Sequence, residues 1–84
     1  MLFRSLVNTL KYKGITDDKV LCAMLKVPRD EFIDSYLKRS SYVDAPQSIG
    51  DGQTISQPYI VALMTQHLKL KGHEKVLELG TGCG

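Results

Sequence analysis

Leu2, Phe3, Leu6, Val7 and Leu10 recur at helical spacing while Arg4, Ser5, Asn8, Thr9 and Lys11 fall between them, so the pattern predicts an amphipathic helix over residues 2–13, ending at Gly14. A second start follows at once: Thr16 has the place of an N-cap, Asp17 and Asp18 suit the positive end of a helix dipole, and Ile15 can staple onto Val20. The apolar face of this second helix is Val20, Leu21, Met24 and Leu25, with Cys22 expected to be buried on it. It ends at Val27, because the residue before Pro28 is pushed out of the helical region, and Pro28 then opens a short third helix from Arg29 to Phe32.

Between Arg39 and Gln53 turn formers occur throughout without a period, which predicts a long loop. A structureless stretch of that length inside a domain is more often functional than not, a flexible linker being the alternative. Ser56 then precedes an apolar helical pattern of Ile60, Leu63, Met64 and Leu68 that runs to about Leu70 and is closed by Lys71-Gly72-His73. Lys75-Val76-Leu77-Glu78-Leu79 reads as a short β run, and Gly80-Thr81-Gly82-Cys83-Gly84 follows it directly.

The composition fits one small soluble domain or less: 84 residues, 43% hydrophobic and 24% charged, with no internal repeat. Acidic and basic residues are interleaved around a net charge of +2, so no basic run marks nucleic acid as a partner. Cys22 and Cys83 lie far apart, outside any C-x-x-C spacing, which argues against a disulfide framework and a zinc site and fits a reducing, cytoplasmic compartment. His67 and His73 lack partners at metal-ligand spacing, so no metal is expected. The first residues have no continuous apolar core or small-residue cleavage site, and no apolar run approaches the roughly 20 residues needed to span a bilayer.

Closely spaced glycines after a strand leave bare backbone where a ligand must approach, beyond the strand's carboxyl end. The spacing is G-x-G-x-G rather than the dinucleotide G-x-G-x-x-G, and Glu78 precedes it. Val-Leu-Glu-Leu-Gly-Thr-Gly-Cys-Gly resembles motif I of the class I S-adenosylmethionine-dependent methyltransferases, in which the acidic residue lies near the methionine moiety. Alone, such a turn is as often structural as cofactor-binding.

The stretch from Tyr42 to Ala62, with Ile49-Gly50-Asp51-Gly52-Gln53-Thr54-Ile55-Ser56-Gln57-Pro58 at its centre, resembles a signature region of the protein-L-isoaspartate O-methyltransferases. Gly14-Ile15-Thr16-Asp17 and Val27-Pro28-Arg29 resemble that family too, in the same order and spacing, so the likeness covers essentially the whole chain. One departure is Cys83, where a serine is usual; both are small. The resemblance implies an α/β protein: N-terminal helices, then the first strand and glycine-rich turn of a Rossmann-like class I methyltransferase domain. Residues 1–52 would be a helical region with the active-site loop, and residues 53–84 the incomplete beginning of the methyltransferase domain. It implies a cytosolic monomer that transfers a methyl group from S-adenosylmethionine to the α-carboxylate of L-isoaspartyl residues, and more weakly to D-aspartyl residues, in damaged proteins. Neither nucleic acid nor a membrane is an implied partner. Ser56 matches the family's active-site serine, with Thr54 beside it; Ile49, Gly50, Gly52, Gln53, Glu78, Gly80, Gly82 and Gly84 match cofactor-binding positions.

Such chemistry demands positioning more than activation, since a carboxylate with a pKa of about 4 is already ionised at neutral pH. A hydroxyl of Ser56 or Thr54 could hold one carboxylate oxygen while the other attacks. By position Ser56 is an N-cap before it is a site residue, although both can hold, because free N–H groups at a helix start also suit a carboxylate. Thr54 can equally be a turn residue, and Tyr42 and Tyr59 are expected to pack. The ribose-binding residue is expected beyond Gly84, so the 84 residues alone are expected to be inactive, with Val76, Leu77 and Leu79 unpaired and exposed. Two other readings stay open: a non-catalytic helical interaction module, and the opening of a different Rossmann-like enzyme such as a nicotinamide-dependent oxidoreductase.

Overall fold

The computed structural model describes residues 2–33 and 39–83, with side chains from Ser5 onward. The proposed core positions Leu2 and Phe3 therefore have no described side chains, and Gly84 lies outside the described residues. The elements run α1 (Leu2–Tyr12), α2 (Asp18–Lys26), a 3₁₀ helix (Arg29–Phe32), β1 (Gln47–Gly50), β2 (Gln53–Ile55) and α3 (Pro58–His67).

The apolar stripe of α1 is its packed face: Leu6, Val7 and Leu10 are buried together with Ile15, Val20 and Leu21, and with Tyr42 and Ala62 from farther along the chain. The cap of α2 differs from the one predicted. Asp17, not Thr16, is the N-cap, its carboxylate accepting from the N–H groups of Lys19 and Val20, while the N–H groups of Thr16 and Asp17 both donate to Gln66 Oε1 at 2.8 Å. A carboxylate at the dipole's positive end outcompetes a hydroxyl one residue earlier, and Gln66 serves the donors left outside the helix. Cys22 is exposed rather than buried, because α2 turns Val20 and Leu21 inward and Cys22 is the next residue round the helix. Val27 closes α2, as the following proline requires.

Pro58 and Ala62 are the buried residues of α3, with Tyr59 and Leu63 partly buried against the core, whereas Ile60, Met64 and Leu68 are exposed. Of the predicted apolar pattern, Leu63 packs against the core, while Ile60, Met64 and Leu68 fall on the exposed side. This helix is apolar nearly all round, so its period does not single out the packed side, and the small Ala62 lets its backbone come close to α1 and α2.

The long loop predicted between Arg39 and Gln53 contains an antiparallel hairpin. Asp51 and Gly52 take φ values of +52° and +70° at its tip, a left-handed pair that suits the twist of two short strands. Gln47 pairs with Ile55, Ser48 with Thr54 and Gly50 with Gln53, which leaves Ile49 as the extra residue of a bulge. The β run predicted at Lys75–Leu79 is not a strand: no described segment pairs with it, and a strand needs a neighbour to accept its hydrogen bonds. Leu77 and Leu79 are 85% and 88% exposed, as expected for an unpaired run. Among the described residues no helix is long and apolar enough to cross a membrane.

Candidate functional site

A cavity of about 210 Å³ lies between the hairpin and the glycine-rich turn. Ile49, Gln53, Thr54, Ile55 and Ser56 line it from the hairpin side, and Glu78, Gly80, Thr81, Gly82 and Cys83 from the turn. Val61 of α3 lines it as well; Val61 and Ile55 also line an apolar cleft of about 140 Å³, with Leu6, Met24 and Phe32. The two stretches singled out in the sequence, some twenty-five positions apart, therefore face one space.

The bulge explains how they meet. A bulge turns one side chain out of the strand's alternation, and Ile49 reaches across so that a Cβ on Gly82 would lie 3.9 Å from its Cδ1. Gly80 and Gly82 hold φ values of +77° and +66°, which side-chain-bearing residues rarely adopt, and nothing lies within 4 Å of where a Cβ of Gly80 would stand. The turn thus presents bare backbone to open space. Beside it, the Thr81 hydroxyl donates to Glu78 Oε1 at 3.1 Å, fixing the carboxylate at the cavity's edge.

Of the predicted site residues, Ile49, Gln53, Thr54, Ser56, Glu78, Gly80 and Gly82 share the cavity, and Gly50 and Gly52 do not line it. Those two supply the positive φ values, +95° and +70°, that turn the hairpin back on itself. Ser56 is not the cap of α3. Gln57 occupies that position without a side-chain hydrogen bond to the helix, because Pro58 at the first helical place has no N–H to offer and the N–H of Tyr59 is donated to Asp44 Oδ1 at 2.8 Å. The Tyr59 N–H is consequently not available to a bound carboxylate, contrary to expectation. Ser56 is exposed and is one of the residues lining the cavity.

Two residues outside the predicted set hold these walls in place. Arg29 is buried, its Nε donating to the carbonyl of Ser41 at 2.6 Å and its Nη2 to that of Ala45 at 3.3 Å. Burial lowers its pKa from the ordinary arginine value, partly offset by the negative charges around it. Tyr42 lies beside it with its hydroxyl donating to Asp30 Oδ1 at 2.7 Å; burial, and then that hydrogen bond, push its pKa up to about 12. Asp44 is the second residue. Its carboxylate pairs with Lys13 at the end of α1, accepts from Tyr59, and takes Gln57 Nε2 at 3.3 Å. One signal pointed to it: a helix opening with Gln-Pro carries no capping side chain of its own, so an acceptor must come from elsewhere.

Burial alone would raise the pKa of Asp44, but the hydrogen bonds from Lys13 and Tyr59, the charge of Lys13 and the Gln57 amide outweigh it and hold the carboxyl below its ordinary value of 3.8. A depressed folded-state pKa stabilises fully above the unfolded value and loses that contribution as pH falls through the folded one. Asp44→Asn should therefore lower the melting temperature at neutral pH, and the gap to the parent should close below about pH 4, the ordinary carboxylate range. Thermal melts followed by circular dichroism across that range check this; a gap that stays constant would show that the charge of Asp44 is not what stabilises.

The family model described as protein-L-isoaspartate(D-aspartate) O-methyltransferase (PCMT) matches residues 3–84. A protein-L-isoaspartate O-methyltransferase 1 from Syntrophobacter fumaroxidans is 59% identical over 81 residues, covering 96% of this chain and 38% of the relative. Protein-L-isoaspartate O-methyltransferases from Methanoculleus marisnigri and Dictyoglomus thermophilum are 55% and 57% identical over 75 and 81 residues, which are 34% and 37% of those relatives. The chain thus spans about a third of the length of the curated relatives it matches.

Proposed function

This chain belongs to the protein-L-isoaspartate(D-aspartate) O-methyltransferase family, and from that premise we propose that it supplies the donor turn and the acceptor hydroxyls of an enzyme that methylates isoaspartyl, and more weakly D-aspartyl, residues of damaged proteins. The observation that carries this reading is the single cavity shared by Thr54 and Ser56 on one wall and Glu78, Gly80 and Gly82 on the other. When bound, S-adenosylmethionine supplies a methyl group on a sulfonium sulfur, electrophilic enough for an ionised carboxylate to take without a base. The residues present fit that cofactor: the bare backbone of Gly80 and Gly82 admits close approach, and the carboxylate of Glu78, steadied by Thr81, balances a cation. Ile49 and Gln53 close the side of the cavity toward the hairpin, and Ser56 and Thr54 each offer a hydroxyl that donates to one substrate carboxylate oxygen and leaves the other to attack.

Residues 1–52 are the helical region and active-site loop, and residues 53–84 begin a Rossmann-like domain in which Lys75–Leu79 is the first strand once paired. The enzyme is cytoplasmic and monomeric, and its partners are isoaspartyl-containing proteins rather than nucleic acid or membrane. The 84 residues by themselves bind the cofactor weakly, since the cavity is smaller than the roughly 300–1,000 Å³ of ordinary small-molecule sites.

Radiolabelled methyl transfer tests the proposal. The native polypeptide, expressed from its complete reading frame, is expected to label an isoaspartyl peptide as a base-labile ester and to leave the matched aspartyl peptide unlabelled. Equal labelling of both peptides, or of neither, would refute it. Ser56→Ala and Thr54→Val should each lower kcat by about tenfold, the loss of one hydrogen bond to a charged group.

A further inference from the structure

The helix that follows the two cavity hydroxyls is anchored from a distance. Asp44, fifteen residues before Tyr59, takes that residue's N–H on Oδ1; its Oδ2 and backbone carbonyl accept from Gln57 Nε2 at 3.3 and 3.4 Å, and Oδ2 also pairs with Lys13. Lys13 Nζ in turn lies 5.4 Å from the centroid of the Tyr59 ring. A single carboxylate, its side chain 9% exposed, therefore fastens the end of α1, the 40–45 segment and the start of α3 to one another. On the other side, Gln53–Ile55 is held by pairing with β1. Ser56 sits between these two fixed points, one residue from each.

We propose that Asp44 is a positioning residue for the methyl transfer: by holding Gln57 and the N–H of Tyr59 it sets where Ser56 presents its hydroxyl. This rests on the function given above. Asp44 does not line the cavity and touches neither reactant; it acts through the two residues that follow Ser56. The task calls for a carboxylate, because three donors converge on its two oxygens and a neutral amide would turn a donor of its own toward Lys13 and Gln57. Asparagine still offers one oxygen to Tyr59, while alanine offers none.

Steady-state methyl transfer to an isoaspartyl peptide by the native polypeptide tests this, with Asp44→Ala, Asp44→Asn and Gln66→Ala beside the parent. Gln66 is the control: it too tethers a distant segment through two hydrogen bonds, but it lies outside the cavity. Asp44→Ala is expected to lower kcat by about tenfold, as much as removing the Ser56 hydroxyl itself, with KM for S-adenosylmethionine unchanged. Asp44→Asn should fall between it and the parent, and Gln66→Ala should melt earlier than the parent yet keep its kcat. Amide exchange at Tyr59 should quicken in Asp44→Ala. Parental kcat in either Asp44 variant, unchanged exchange at Tyr59, or a loss of kcat in Gln66→Ala that tracks its melting temperature would overturn the positioning role and leave the function standing. A parent that transfers no methyl would overturn both. Should Asp44→Ala fail to fold, the kcat of Asp44→Asn against the parent decides alone.

Discussion

Leu10→Ala is expected to cost about 2–5 kcal/mol, the range for removing a fully buried leucine side chain. At roughly 0.05–0.15 kcal/mol per residue, a chain of 84 residues has a stability of the order of 4–13 kcal/mol, so this one change removes a large share of it. Leu10 has no exposed surface, and the core cluster it belongs to draws on all three α-helices: Leu6 and Val7 from α1, Val20 and Leu21 from α2, and Ala62 from α3. No other element can move into the space without giving up its own contacts, so the cavity persists. In the same 84-residue chain the matching control is Leu77→Ala, the same chemical change at a residue 85% exposed there, which should stay within about 0.5 kcal/mol of the parent. Urea titration reads both: the midpoint should fall steeply for Leu10→Ala at unchanged slope and hardly move for Leu77→Ala. Equal shifts for the two would place the core somewhere other than the α1–α2–α3 contact.

The contrast between Leu10 and Leu77 also marks what a sequence pattern can and cannot say. In α1 the polar and apolar residues separate cleanly, so the stripe Leu6, Val7 and Leu10 is the buried face and the period is sufficient. In α3 they do not separate: Ile60, Met64 and Leu68 share a row four residues apart, and it is the exposed row. What decides the packed side there is the small Ala62 and the reach of Gln66, neither of which raises a hydrophobic signal. The β run at Lys75–Leu79 has the composition of a strand without a partner among the described residues, and strand structure belongs to a pair rather than to a segment. The hairpin gives little sequence signal for the opposite reason. Its strands are three and four residues long and rich in polar and small side chains, and only Asp51-Gly52 betrays the turn that joins them.

At the site, the residues lining the cavity were readable as a motif, while those that hold it were not. Thr54, Ser56, Glu78 and the glycines stand close together in sequence within two short stretches. Arg29 and Asp44 act over distance: the first on carbonyls twelve and sixteen residues away, the second on donors thirteen, fifteen and thirty-one residues away. A surface arginine and a loop aspartate look the same in a sequence as these two do, since nothing in local spacing records which carbonyl or amide a folded chain will bring to them.

Gly82→Val is expected to abolish most methyl transfer by the native polypeptide while leaving the helical core intact. Gly82 holds φ at +66°, a region a β-branched residue avoids at a cost of about 1–3 kcal/mol, so valine forces the turn to change its path. Valine also adds a Cβ 3.9 Å from Ile49 Cδ1, an ordinary contact, but its two methyl groups extend beyond that atom at the place where the hairpin and the turn meet. Either response, a moved turn or a filled gap, removes the bare backbone that the cofactor must approach. No residue of the turn belongs to the core cluster around Leu10 and Ile15, so strain there is released without reaching it. Activity should fall on the order of 100-fold, as for other displacements of about an ångström in a reacting geometry, with the loss expressed in affinity for S-adenosylmethionine measured by calorimetry. Melting should move by no more than about 4–8 °C, the shift of about 1 kcal/mol in a domain of roughly 60–100 residues. A variant with parental cofactor affinity would mean that the glycine turn is a structural corner and that the donor binds elsewhere.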